Sequence, residues 1–218
     1  MRPWITHATT VTPDGTPLSL NQRGDEWIIR ARNEDLMSSR MHGSEEEMAR
    51  LARSDRPDAH VLVGGLGMGF TLRAALENLP AGGRVTVAEL VEAVAEWNRG
   101  PLGPLAGHPL DDPRATLLLD DVSNVLRAHP ATFDAILLDV DNGPDAFTQA
   151  GNRALYTPEG IKRTRMALRA GGVVAYWSAY EAADFPKRLE RAGLRAETHK
   201  VRAHGGKGAR HVIYLGRT

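Results

Sequence analysis

A six-residue run containing four glycines, Gly64-Gly65-Leu66-Gly67-Met68-Gly69, constrains this 218-residue chain more than any other feature. It follows the apolar stretch Ala59-His60-Val61-Leu62-Val63 and precedes a segment, 70–79, that reads as a helix. Residues 84–88 read as a second strand, and Glu89 ends it twenty positions after Gly69. Glycine supplies positive φ and lets a ligand come close to the backbone. The free N–H groups of the following helix face the same ligand. An acid closing the second strand can accept hydrogen bonds from both ribose hydroxyls of an adenosine-type ligand. A plain strand-to-helix turn with a surface glutamate explains the loop alone, but not the whole series of strand, loop, helix, strand and acid. The spacing lacks the Gly-x-Gly-x-x-Gly of dinucleotide binders and the Gly-Lys-Ser/Thr ending of a P-loop. A nucleoside without a pyrophosphate fits it best.

The downstream pattern supplies the sheet that this loop needs. Strands are predicted at 115–119, 133–138 and 172–177, with helices at 90–98, 122–128, 158–169 and 183–192. Near-continuous apolar strands separated by helices predict a parallel sheet covered on both faces. Residues 195–202 and 210–216 read as two more strands, joined by a loop over 203–208 too short for a crossover helix. That pair is therefore expected to be antiparallel. Upstream, Thr12-Pro13-Asp14-Gly15 is a turn signal, and 18–22 and 26–31 flank Arg23-Gly24-Asp25 as a β-hairpin. Residues 43–53 read as a helix with Ser44 as its cap and Glu45, Glu46 and Glu47 in the first turn. The expected organisation is an N-terminal β-hairpin segment and helix over 1–54, then a Rossmann-like domain over 55–218.

Composition narrows the chemistry. With no cysteine, thiol catalysis, disulfides and Cys-ligated metals are all excluded. The eight histidines show no metal-binding spacing, so no metal is expected. Lys+Arg and Asp+Glu each number 27, which argues against a strongly basic nucleic-acid binder. No stretch approaches the ~20 apolar residues of a membrane span, and the N-terminal residues lack a signal-peptide core. The expectation is a cytoplasmic protein acting on small molecules, with neither nucleic acid nor membrane as a partner.

Carboxylates remain as the working groups. Asp120 and Asp121 end the third strand of the Rossmann-like domain, and Asp139 and Asp141 follow the fourth. Ligands of open α/β sheets sit beyond the carboxyl ends of the strands, so these acids face one crevice. An acid after the third strand can accept a hydrogen bond from an adenine amino group, or it can simply cap the next helix. A carboxylate closing a buried strand, as Asp139 does, is costly without a partner. It suits a base acting toward an amine or a holder of an ammonium group. Tyr156 can contact substrate or pack in the core.

Taken together these segments resemble the class I S-adenosylmethionine-dependent transferases, and within them the spermidine synthase (polyamine aminopropyltransferase) family. The resemblance rests on Val61–Arg73 for the glycine loop, Val85–Leu90 for the ribose strand, Leu119–Val122 for the adenine side, Phe133–Asp139 for the fourth strand and its acid, and Leu155-Tyr156. It implies a seven-stranded sheet in the order 3-2-1-4-5-7-6, ending in an antiparallel hairpin, with a small N-terminal β appendage. It also implies cofactor-binding roles for Gly65, Gly67, Met68, Gly69, Glu89, Asp120, Asp121 and Asp139, and catalytic roles for Asp139, Asp141 and Tyr156. Three departures stand out. Met68 occupies the place of a family aspartate that the resemblance implies holds the ammonium of decarboxylated S-adenosylmethionine. Arg40-Met41-His42-Gly43 is the nearest stretch to a Tyr-His-Glu segment. Asp139-Val140-Asp141-Asn142-Gly143-Pro144 replaces an Asp-Ser-Ser-Asp-Pro gate.

Because of Met68, the sequence favours an S-adenosylmethionine-dependent methyltransferase on this scaffold, with a small polar acceptor such as an amine. The alternatives are an aminopropyltransferase using decarboxylated S-adenosylmethionine, and a non-catalytic adenosyl-ligand-binding module. Pairing of the N-terminal β segment between two copies makes a homodimer a further expectation.

Overall fold

In a computed structural model, residues 2–32, 34–140, 143, 152–204 and 207–218 are described. The chain opens as an antiparallel meander of β1 (Ile5–Val11), β2 (Pro17–Arg23), β3 (Glu26–Ala31) and β4 (Glu34–Ser38), hydrogen-bonded in that order. The expected hairpin is β2–β3, in which Arg23 pairs with Glu26 across the turn. Leu18 and Leu20 alternate along β2 and are buried, as are Trp27 and Ile29 of β3, so one face of the meander is apolar and covered. β1 and β4 extend the hairpin on its two sides.

Next comes helix α1 (Gly43–Leu51). Ser44 was expected to cap it, but the N-cap position is His42, which makes no side-chain cap bond. Ser44 is instead inside the helix and fully buried. Its Oγ accepts from Trp177 Nε1 at 3.0 Å and lies 2.9 Å from His211 Nδ1. The first turn of α1 is thereby tied to the large sheet.

That sheet contains β5 (His60–Gly64), β6 (Arg84–Glu89), β7 (Ala115–Leu119), β8 (Phe133–Leu138), β9 (Leu168–Ser178), β10 (Arg195–His204) and β11 (Lys207–Arg217). The order is β10-β11-β9-β8-β5-β6-β7. Counted from β5 as strand one, this is the expected 3-2-1-4-5-7-6. The pairs among β5 to β9 are parallel, and β11 runs antiparallel to both β9 and β10. Every residue of β5 and β8 is buried, as central strands covered on both faces require. Helices α2 (Phe70–Glu77), α3 (Glu92–Arg99), α4 (Val122–Ala128), α5 (Pro158–Ala167) and α6 (Phe185–Arg191) provide the cover. The helix predicted to 169 stops at Ala167, and β9 begins four residues earlier than predicted, at Leu168. Leu168 is buried beside β8, where Phe133 pairs with it. Tertiary packing overrides the helical periodicity there. Among the described residues no helix is long and apolar enough to cross a membrane.

Candidate functional site

The carboxyl ends of β5, β6, β7 and β8 open into one crevice, lined by Gly65, Gly67, Glu89, Asp120, Asp121 and Asp139. Six of the residues singled out from sequence thus converge. The opposite wall comes from the N-terminal meander, through Leu18, Ile29, Leu36 and Met37. An apolar roof over a polar floor is the usual constitution of a small-molecule site.

The floor is set by backbone geometry. Gly65 has φ +86°, and a Cβ built there would stand 2.7 Å from the Asp139 carbonyl oxygen. Only glycine lets the loop pass so close to the end of β8. Gly67, with φ +53°, lies under Met37, whose methyl carbon would be 2.9 Å from an added Cβ. Gly69 is the N-cap of α2, and its carbonyl accepts from the Arg73 N–H at 2.9 Å.

Glu89 is buried and already held. One carboxylate oxygen accepts from the Leu66 N–H at 2.9 Å and the other from the Val91 N–H at 2.8 Å. Burial pushes its proton affinity above the ordinary glutamate range, and the backbone donors of Val91, Leu66, Gly67 and Leu90 oppose that. Asp121 caps α4 by accepting from the Ser123 N–H at 2.7 Å. Asp120 accepts from the Asp121 N–H and from Asn124 Nδ2, both at 2.7 Å. Both acids therefore have structural partners while lining the crevice.

Asp139 is poorer in donors. Its Oδ2 accepts from Thr71 Oγ1 at 2.9 Å. Burial raises its pKa from 3.8 to about 6, and the Thr71 bond acts in the opposite sense. Glu45 of α1 is the second acid at this end. Its Oε2 is buried without a hydrogen-bond partner. Burial, then the charges of Asp139 and Glu46, drive the Glu45 pKa well above its usual range, against a smaller opposing effect from Arg73. Arg73 itself is bonded to Glu46 and lies 3.7 Å from Glu77.

The remaining site candidates lie elsewhere. Met68 is 2% exposed and packs in the hydrophobic core. Tyr156 is equally buried, with its ring 5.8 Å from Tyr176 and 5.9 Å from Phe185. Asp141 falls outside the described residues. Sequence reasoning missed Met37, because β4 begins with two acids and looks like a solvated turn. It missed Glu45, because three consecutive glutamates read as the exposed first turn of a helix. Among the described residues no group of three or more His, Asp or Glu stands where it would hold a metal ion.

A parallel sheet with a glycine loop after its first strand, an acid after its second and a crevice at the strand ends defines the class I S-adenosylmethionine-dependent fold. Within that class, residues 41–181 match the model of the spermine/spermidine synthase domain, and the chain belongs to that family. It is 35% identical over 132 residues to polyamine aminopropyltransferase 2 of Pseudomonas aeruginosa, covering 56% of this chain and 33% of that protein. It is 29% identical over 120 residues to the polyamine aminopropyltransferase of Thermoanaerobacter sp., covering 54% of this chain and 40% of the relative. The chain thus spans well under half the length of these curated relatives. In fold it resembles spermidine synthase from Thermotoga maritima, with a TM-score of 0.78 at 17% identity, over 97% of this chain and 72% of the other. A spermidine synthase in complex with the transition-state analogue AdoDATO superimposes with a TM-score of 0.76 at 16% identity, over 97% and 72% of the two chains.

These matches overturn the expectation of methyl transfer, since the family model and the curated relatives are those of aminopropyltransferases. The reason for the error is physical. The methyltransferase reading depended on Met68 facing the ligand in place of an acid, whereas Met68 points into the core. The carboxylates at the reacting end come from Asp139 and Glu45 instead.

Proposed function

We propose that the protein is a polyamine aminopropyltransferase using decarboxylated S-adenosylmethionine as donor and a small amine as acceptor. In this reading Glu89 receives the ribose hydroxyls, Gly65 and Gly67 admit the ligand to the backbone, and Asp120 and Asp121 flank the adenine. The acceptor nitrogen attacks the methylene carbon next to the sulfonium. The new C–N bond forms as the C–S bond breaks, and methylthioadenosine departs. The proton lost from nitrogen passes to Asp139. Alignment supplies much of the rate in such a displacement, and the carboxylate supplies general-base assistance.

Asp139 is the observation that carries the reading. A carboxylate raised to about 6 still ionises near neutrality, and its proton affinity is closer to that of an amine than an ordinary aspartate's is. The decisive experiment incubates the protein with 1,4-diaminobutane and either decarboxylated or intact S-adenosylmethionine, with products resolved by mass spectrometry. Methylthioadenosine and an aminopropylated diamine should form with the decarboxylated donor alone. No aminopropylated product with this diamine or with 1,3-diaminopropane, at any ratio of donor to protein, rejects the reading.

A further inference from the structure

Glu45 raises a question that the adenosyl crevice does not answer. A buried carboxylate oxygen without a donor is costly. Glu45 Oε2 is such an atom, and its nearest strong electrostatic neighbours are two other acids, Asp139 and Glu46. The one cation among its strong electrostatic neighbours, Arg73, is engaged with Glu46. Nor is Glu45 free to swing away. The preceding residue, Ser44, is bonded to Trp177 of β9 and His211 of β11. Its neighbour Glu46 is bonded to Arg73 of α2, and His42 Nδ1 lies 2.8 Å from the same carboxylate. The fold holds an acid short of donors against a second one, and the second lines the crevice.

We propose that Glu45 and Asp139 form a two-carboxylate seat for a primary alkylammonium, whose N–H donors satisfy the Glu45 oxygen that the chain leaves unpaired. The inference deepens the aminopropyltransferase reading and rests on it for the orientation of the ligand. Between ligands, a proton held by the pair relieves the repulsion, and an entering ammonium displaces it to solvent. The other titratable groups facing α1 are Arg73 and Glu77 from α2, His211 from β11 and His199 from β10, whose charge acts on Glu47. Donor and acceptor in the proposed reaction both carry a primary amine, so the chemistry is shared and the test must separate them.

The test compares wild type with Glu45→Gln by calorimetry against methylthioadenosine, decarboxylated S-adenosylmethionine and 1,4-diaminobutane. Glu45→Gln should leave methylthioadenosine within about twofold, since that ligand has no alkylammonium. It should weaken decarboxylated S-adenosylmethionine about tenfold or more if the seat takes the donor amine, or the diamine by that factor if it takes the acceptor amine. Equal weakening of all three ligands, or no weakening of either amine, overturns the proposal. A second measurement needs only wild type. At pH 6, amine binding followed in phosphate and in Tris should differ in heat by the ionisation of the buffer, whereas methylthioadenosine binding should not. No proton release from wild type on binding either amine overturns the proposal as well. If methylthioadenosine fails to bind wild type while the diamine binds with proton release, the adenosyl reading fails and the ammonium seat stands.

Discussion

Glu89 and Asp139 close the strands on either side of β5, one on β6 and the other on β8. Burial raises the proton affinity of both. Yet they are different chemical instruments, and the difference lies in their donors. Glu89 is held from two sides by the backbone N–H groups of Leu66 and Val91. Asp139 has the hydroxyl of Thr71 and a second acid, Glu45, for company. A carboxylate with fixed donors is an anion of constant orientation, suited to recognising hydroxyls. One short of donors exchanges protons or cations. Burial alone does not distinguish a recogniser from a reactor; the supply of hydrogen-bond donors does.

The contrast breaks most visibly at Asp139. Asp139→Asn should lower turnover of decarboxylated S-adenosylmethionine with a diamine about 10²–10⁴-fold, while methylthioadenosine affinity by calorimetry stays within about threefold. An equal loss of nucleoside affinity would mean that both carboxylates do one job. Glu89→Gln should do the reverse, weakening methylthioadenosine about 10- to 100-fold through lost charge-assisted hydrogen bonds. It should also lower thermal stability, because a side-chain NH₂ must then face the Leu66 or Val91 N–H. Met37→Ala, which removes part of the apolar roof above Gly67, should raise the donor KM about three- to tenfold with kcat nearly unchanged.

The smallest effects concern pH. The Asp139 pKa near 6 places the acid limb of kcat/KM at about that value, with activity rising as the carboxylate ionises. Glu45→Gln removes a like charge and should move that limb to lower pH. Thr71→Val removes a donor to the ionised form and should move it higher, each by about a unit or less. Stability follows the opposite course. A raised acid pKa contributes stability fully present below 3.8, the value for an unperturbed aspartate, and lost as pH rises through about 6. Asp139→Asn should flatten that part of the melting-temperature profile.

The core of this arrangement was legible in the sequence because period and punctuation are local signals. Apolar runs ended by glycine or by an acid mark β5, β6 and β8, and the short 203–208 connection fixes the final antiparallel pair. What escaped depends on contacts between distant segments. Leu168 leaves the helical pattern for a strand because Phe133 waits opposite it. Ser44 looks like a cap until Trp177 and His211, far away in sequence, claim its hydroxyl. Met68 sits among ligand-facing glycines but turns inward, a choice made by packing that no spacing reveals. Glu45 is one of three adjacent glutamates, and only the assembled fold distinguishes it from its neighbours.

The close passage of Gly65 beneath the Asp139 carbonyl, together with the 3.1 Å bond from the Asp139 N–H to the Gly64 carbonyl, has a consequence for anyone redesigning this scaffold. Main chain touches main chain there, so the spacing between loop and acid works as a gauge block that side-chain exchange does not reset. Replacing the acid or its companions alters what happens at that point in space while leaving the point where it was. New acceptor chemistries are therefore best sought by varying α1 and the meander, with the Gly64–Gly65 step left alone.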